Sequence, residues 1–265
     1  MKKVMCVVAL IAVGGILFTG CQKKSSGLTL KTGVLQVGME IGYPPMEYLS
    51  DDGKTPIGFD VSMAHALADR LGLELELVDT AWDGIFAGVD TDKYDCIISS
   101  VTINEPRQAA HNFSKPYIQN TLAIVLRKDS TLNISSPEDL AGLNVAYQEE
   151  TTSDFFMSEL AEGGMQFTPR EYDKVMYCFD EMALGRVDVI VTDLLVAYEY
   201  IARARPFLQI VWQGGEEEFG ICLKKGNDAL TEALNAALDE LFEDGTMQQI
   251  SDEIFGMDLV SAVRQ

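Results

Sequence analysis

The residue types best suited to chemistry fall into two separate blocks. In the first, the apolar run Cys96-Ile97-Ile98 leads into the hydroxyl residues Ser99, Ser100 and Thr102, then into Asn104-Glu105-Pro106-Arg107. Ligands in open α/β sheets sit beyond the carboxyl ends of strands. A strand end here would gather Ser100, Thr102 and Arg107 beside free backbone N–H groups. A guanidinium so placed is suited to bidentate capture of a carboxylate. The same spacing also fits a plain turn in which Arg107 pairs with Glu105 or points into solvent. In the second block, Val187-Asp188-Val189-Ile190-Val191-Thr192 runs into Asp193, which precedes the apolar pair Leu194-Leu195. Asp193 is then either the N-cap of a helix or a buried acceptor for an ammonium group. Taken together, the blocks offer a cation for a carboxylate and an anion for an ammonium, the two ends of an amino acid zwitterion.

Other chemistries find little support. The sequence holds no GxSxG elbow, GxGxxG fingerprint, P-loop or HExxH motif. His65 lies beside Ala64 and Ala66 in an amphipathic run, and His111 has no acid or thiol near it in sequence, so both read as structural. Cys96, Cys178 and Cys222 each sit in an apolar stretch and form no CxxC, which suits buried small hydrophobes. Two histidines and scattered cysteines leave little for a metal cluster, and no cofactor is expected. The chain of 265 residues carries 20 Lys+Arg against 41 Asp+Glu, a net charge of −21. That balance argues against nucleic acid, because a phosphate backbone needs a clustered basic face. With 47% hydrophobic residues there is material for sizeable cores.

The elements that would position these groups alternate between strand and helix. Val34–Met39 is β-rich and ends at the turn signal Gly42-Tyr43-Pro44-Pro45. Asp60–Leu71 has Met63, Leu67 and Leu71 at helical spacing and stops at Gly72, after which Leu73–Leu77 alternates with period two. Cys96–Ile98 reads as a buried strand, and Ser136-Pro137 as a helix start with an N-cap serine and proline at the first position. Strands are expected at Asn144–Tyr147, Val187–Val191 and Phe219–Leu223. Helices are expected at Ser153–Leu160, Asp173–Leu184 and Asp228–Asp244, the last closed by Gly245. Alternation of this kind predicts parallel sheets with helices on both faces.

The first residues stand apart from that pattern. Lys2 and Lys3 precede an uncharged run from Val4 to Phe18, followed by Thr19-Gly20-Cys21. This is a basic n-region, an apolar h-region and a small-residue cleavage site, so residues 1–20 read as a signal peptide. Phe18-Thr19-Gly20-Cys21 resembles a bacterial lipobox, although Phe18 departs from the aliphatic residue usual there. Lipid on Cys21 would anchor the protein to a membrane surface without spanning it, with residues 21–31 as linker.

Several motifs in register carry a family resemblance. Gly-Tyr-Pro-Pro-Met (42–46), Gly-Phe-Asp (58–60), Trp82-Asp83-Gly84, the block ending at Arg107, Phe113-Ser114-Lys115-Pro116-Tyr117 and Val191-Thr192-Asp193 resemble the polar amino acid-binding proteins. These are the extracytoplasmic solute-binding proteins, family 3, of ABC importers. The likeness spans about Leu30 to Asp258 and implies an α/β fold of the type II periplasmic-binding-protein kind, with two lobes, hinge strands and a ligand cleft. One lobe would comprise 32–119 and 217–265, the other 120–216, with Tyr117–Asn120 and Gln213–Glu217 as hinges. By the same resemblance, Arg107 and Thr102 would hold the ligand carboxylate with help from the Thr152 backbone N–H. Asp193 and Ser100 would bind the ammonium, Tyr43 and Trp82 would flank the side chain, and Glu40 would sit at the cleft rim. One departure is Glu150 in Gln148-Glu149-Glu150-Thr151-Thr152, where the family has glycine; it either faces solvent or reaches the cleft as a new acid.

The expected function is therefore capture of a free L-amino acid and delivery to an ABC permease, without catalysis. Arginine or lysine is favoured as ligand, with glutamine next, because aromatic faces and surplus acids suit a cation. Two rivals share the resemblance: a secreted prephenate- or arogenate-type dehydratase on the same fold, and a ligand-sensing module that would need a separate membrane kinase.

Overall fold

The structure is a computed structural model that describes residues 27–264. The expected signal peptide, the expected lipidation site Cys21 and the expected linker as far as residue 26 lie outside the described residues. No helix among the described residues is long and apolar enough to cross a membrane.

The chain begins with β1 (Val34–Met39), a short hairpin of β2 (Tyr48–Leu49) and β3 (Pro56–Ile57), and α1 (Phe59–Leu71). β4 (Glu74–Asp79), α2 (Ile85–Asp90), β5 (Cys96–Ile97), α3 (Glu105–Ala110) and β6 (His111–Phe113) follow. β7 (Ile118–Arg127) leads to β8 (Asn144–Gln148), α4 (Thr152–Glu162), β9 (Thr168–Tyr172) and α5 (Val175–Ala183). β10 (Val189–Asp193), α6 (Leu194–Arg203), β11 (Leu208–Phe219), β12 (Cys222–Lys224), α7 (Asp228–Glu243) and α8 (Thr246–Phe255) complete it.

Two five-stranded sheets organise these elements, with strand orders β4-β1-β5-β12-β6 and β11-β7-β10-β8-β9. Each sheet is mixed rather than parallel as expected. β1 pairs in parallel with β4 and β5, but β12 runs antiparallel to β5 and β6. In the second sheet β8 pairs in parallel with β9 and β10, while β7 runs antiparallel to β10 and β11. The reversals arise where the chain passes between the halves: β7 and β11 are neighbours in space, and adjacent strands that carry the chain out and back must be antiparallel. Their pairing begins at Ile118 opposite Phe219 and puts Asn120 opposite Glu217.

Apolar spacing explains the packing. α1 buries Phe59, Met63, Ala64 and Leu67 against the first sheet and against Leu234, Leu238 and Leu241 of α7. Gly72 then ends the helix in the left-handed conformation that glycine adopts without strain. The second sheet packs Ile124, Val145, Val189 and Val191 against Leu140 and Met157. All three cysteines among the described residues are buried free thiols, as expected.

Two expected elements differ, and one helix is additional. The strand at Phe219–Leu223 is broken at Gly220-Ile221, where the glycine backbone lies so close to Ile103 that a Cβ would meet its side chain at 2.7 Å. The helix started by Ser136 is a single 3-10 turn, Pro137–Leu140, although its capping box is complete. α8 was not anticipated, because its sequence TMQQISDEIF buries only Met247, Ile250 and Ser251.

Candidate functional site

Both blocks that suggested chemistry end at strand ends facing one another. Ser99 and Ser100 follow Ile98 just beyond the end of β5, and Ser100 adopts a positive φ of 51°. That turn sends its backbone N–H to Asp60 Oδ2 at 2.7 Å. Asp60 is held there because Gly58, with φ of 126°, lets α1 start directly against the preceding loop. The Phe59 and Asp60 backbone N–H groups donate to the Pro45 and Met46 carbonyls at 3.1 and 2.9 Å. A Cβ on Gly58 would lie 2.3 Å from the Met46 oxygen, so glycine is required for this contact.

Arg107 is the third residue of α3, whose N-cap Asn104 accepts the Arg107 backbone N–H at 3.0 Å. Its guanidinium is buried, donates to the Thr102 carbonyl at 3.2 Å and the Glu150 carbonyl at 3.4 Å, and lies 5.2–5.7 Å from the rings of Phe86, Trp82 and Phe155. Among the described residues no carboxylate comes within ion-pair distance of it, so the pairing with Glu105 does not form. Asp193 occupies the N-cap position of α6, yet its side chain makes no capping bond. It is buried and instead accepts the Tyr43 hydroxyl at 2.6 Å.

All eight residues expected at a ligand site, Glu40, Tyr43, Trp82, Ser100, Thr102, Arg107, Thr152 and Asp193, line one cavity of about 310 Å³ between the halves. Thr152 opens α4, where the first backbone N–H groups have no partner within the helix. Further contacts bring the halves together across the cavity. Trp82 Nε1 donates to the Glu150 carbonyl at 3.1 Å, and Gln148 Nε2 donates to both Glu40 oxygens at 3.1 and 2.9 Å.

Several expectations need correction. Glu40 is not at a rim: it is 4% exposed and tied to Gln148. Neither Glu149 nor Glu150 lines the cavity, and the Glu150 side chain is exposed. The backbone of Glu150 keeps the geometry expected of glycine, with φ of 59°, and it is its carbonyl that serves the site. His65 is exposed, whereas buried His111 has Asp90 Oδ1 3.2 Å from Nε2, a neighbour supplied by the fold rather than the sequence. Sequence reasoning missed Glu47, Ser99, Gln148 and Thr151 as lining residues. Glu47 offered no local signal, since an acid beside Tyr48 reads as a surface residue.

Electrostatically the site is a buried chamber rich in carboxyl groups that burial inclines to hold their protons. Burial pushes the Glu40 carboxyl up to about 7, against the pull of its hydrogen bond from Gln148. Burial, then the charge of Glu217, pushes Asp193 up to about 8, while Tyr43, Asn120 and Arg107 act the other way. Glu47 is raised well above the ordinary carboxylate range by burial and then by Asp60, and Asp60 reaches about 7 for the same first reason. Burial alone disfavours the Arg107 cation, and the surrounding acids oppose that. A zwitterion arriving here would meet one buried cation and several acids poised to ionise.

The likeness to known proteins agrees with this geometry. Residues 35–257 match the family model for bacterial extracellular solute-binding proteins, family 3. The L-cystine-binding protein TcyJ of Escherichia coli K12 is 33% identical over 228 residues, covering 86% of this chain and 84% of that protein. An ancestral arginine-binding protein, solved bound to arginine, superposes with a TM-score of 0.80 at 35% identity, over 84% of this chain and 98% of that one. The ancestral amino acid-binding protein AncCDT-1, a precursor of cyclohexadienyl dehydratase, gives 0.78 at 33% identity, over 84% and 96%. The two-sheet, two-lobed architecture is thus the periplasmic-binding-protein fold, with the cavity in its cleft. With Arg107 and Asp193 at opposing strand ends of that cleft, the chain belongs to the family 3 extracellular solute-binding proteins, the amino acid-binding components of ABC transporters.

Proposed function

We propose that the protein captures a cationic amino acid, arginine ahead of lysine, and presents it to an ABC importer. One observation carries this reading: the cavity lining holds a single cation, Arg107, against three carboxyls, Glu40, Glu47 and Asp193. A bound zwitterion uses Arg107 for its carboxylate and Asp193 for its ammonium, with Thr102, Ser100 and the Thr152 backbone N–H as further partners. Glu40 and Glu47 then have no further cation among the residues lining the cavity, and a guanidinium or ammonium on the ligand side chain supplies one. Burial of an uncompensated charge is costly, so a neutral side chain leaves the site worse satisfied. The similarity to an arginine-bound ancestral protein supports the same choice, and the likeness to a cystine-binding protein defines the competitor.

On this reading residues 32–119 and 217–265 form one lobe and 120–216 the other, with β7 and β11 as the hinge about which closure traps the ligand. Cys21 carries the lipid that holds the protein at the outer face of the cell membrane. Calorimetry on ligand-stripped protein, with arginine, lysine, histidine, glutamine, glutamate and cystine, tests the assignment. Arginine binds tightest; tighter binding of cystine or glutamine overturns it. Prephenate and arogenate are expected to give no turnover, and Cys21→Ala should move the protein from the membrane to the soluble exported fraction.

A further inference from the structure

The floor of the cavity holds two carboxyl groups whose hydrogen bonding does not close without an additional proton. Glu47 Oε1 accepts the Ser99 hydroxyl at 2.6 Å, and Asp60 Oδ2 accepts the Ser100 backbone N–H at 2.7 Å and the Tyr117 hydroxyl at 3.0 Å. The remaining oxygens, Glu47 Oε2 and Asp60 Oδ1, are buried with no hydrogen-bond partner. Glu47 is 1% exposed and Asp60 is fully buried, and the consecutive residues Ser99 and Ser100 hold the two carboxyls as neighbours. The Ser100 hydroxyl, itself buried and unpartnered, is one neutral donor at hand for two orphan oxygens. An ionised carboxylate only accepts hydrogen bonds, so two such neighbours need a proton between them.

Among the described residues no cation is hydrogen-bonded to either carboxyl. Facing the pair are Glu40 from the end of β1, Asp193 from the end of β10, Tyr43 from the same loop as Glu47, and Tyr117 from the segment before β7. The nearest cationic influences fall elsewhere, Lys174 on Glu40 and Arg107 on Asp193. Of the pair, Glu47 lines the cavity and Asp60 stands behind it. A cation placed against Glu47 would therefore occupy the electrostatic role that the shared proton fills.

We propose that Glu47 is the specificity-determining residue for the distal cation of the ligand, and that binding displaces to solvent a proton held between Glu47 and Asp60. The inference rests on the cationic-ligand reading above. Two consequences follow for the protein: arginine is bound with release of more protons than glutamine, whose ammonium draws on Asp193 in the same way, and arginine affinity rises more steeply with pH through the neutral range.

The test is arginine calorimetry at pH 6.5 in two buffers of different ionisation enthalpy, with wild type and Glu47→Gln. Wild type should release on the order of one proton per arginine from this pair, and the substituted protein should release correspondingly fewer. Arginine binding should weaken by at least about 30-fold in Glu47→Gln, with glutamine changing less than about threefold. Tight arginine binding by wild type with no net proton release overturns this inference alone. Equal release by wild type and Glu47→Gln assigns the proton to Glu40 or Asp193 and also overturns it. Preference for glutamine or cystine over every cation overturns the ligand assignment and this inference together. The wild-type arm needs no variant to fold.

Discussion

Arg107 is fixed by its own helix cap, by the Thr102 carbonyl and by three aromatic rings, so its charge is oriented without being neutralised. Such an arrangement is weak as a fold stabiliser and strong as a receptor. Arg107→Met keeps the packing volume and removes the charge. Truncating one partner of a buried charge pair costs about 2–5 kcal/mol, or roughly 30-fold to several thousand-fold in dissociation constant. Calorimetry should show that loss while the melting temperature without ligand stays nearly unchanged; binding within threefold of wild type would remove Arg107 from the site. Glu150 makes the opposite case, because its backbone serves the site while its side chain is exposed in a left-handed conformation. Relief of that strain, less the added freedom of glycine in the unfolded chain, predicts that Glu150→Gly gains about 0.5–1 kcal/mol of stability. Arginine affinity should change by less than about threefold, because the carbonyl that meets Trp82 and Arg107 is retained.

At the level of elements, the start of α1 governs the cavity floor. Gly58 brings Met46 and Asp60 into contact, and through them Glu47. Gly58→Ala should cost about 2–3 kcal/mol and weaken arginine binding as well. Gly53→Ala, also at positive φ but with open space at its Cβ, should leave binding intact. Comparing their denaturant midpoints with their dissociation constants separates the two effects. Strand ends were legible in the sequence because apolar runs stop where a serine or aspartate begins, as at Ile98-Ser99 and Val191-Thr192-Asp193. Helix α1 was legible through its spacing and Gly72. The antiparallel reversals, the break at Gly220 and the burial of Glu40 depend on contacts between residues far apart in the chain, such as Glu40 with Gln148, and no local pattern encodes them. Glu47 was missed for the same reason: beside Tyr48 it reads as a surface acid, and only Asp60, Ser99 and the strand β1 make it a buried one.

For the whole molecule, the buried acids tie stability to pH. Glu40, Asp60, Glu47 and Asp193 all have folded-state values raised above those of an unfolded chain, by burial first. Between about pH 4 and 8 the native state therefore holds more protons than the unfolded state, and stability without ligand falls as pH rises through that window. Below the unfolded values both states are protonated and this dependence vanishes. The ligand-free protein should accordingly melt several degrees lower at pH 8 than at pH 5, and saturating arginine should narrow the difference. A flat or rising melting temperature over that range would show that these acids stay ionised in the fold. The acidic surface, at a net charge of −21, points the same way, since self-repulsion also grows as carboxyls ionise.

The chain has two tryptophans, and the fold gives them unequal tasks. Trp212 stacks on Phe156 within the half built on the second sheet, at 5.8 Å between ring centroids, and does not depend on the other half for its surroundings. Trp82 is 6% exposed and donates its indole N–H to the Glu150 carbonyl of the opposite half. Separation of the halves would wet Trp82 and leave Trp212 as it is. The molecule thus carries an optical gauge of its own closure beside an internal reference. On ligand removal the emission of wild type should shift to longer wavelength, Trp82→Phe should lose that shift, and Trp212→Phe should keep it.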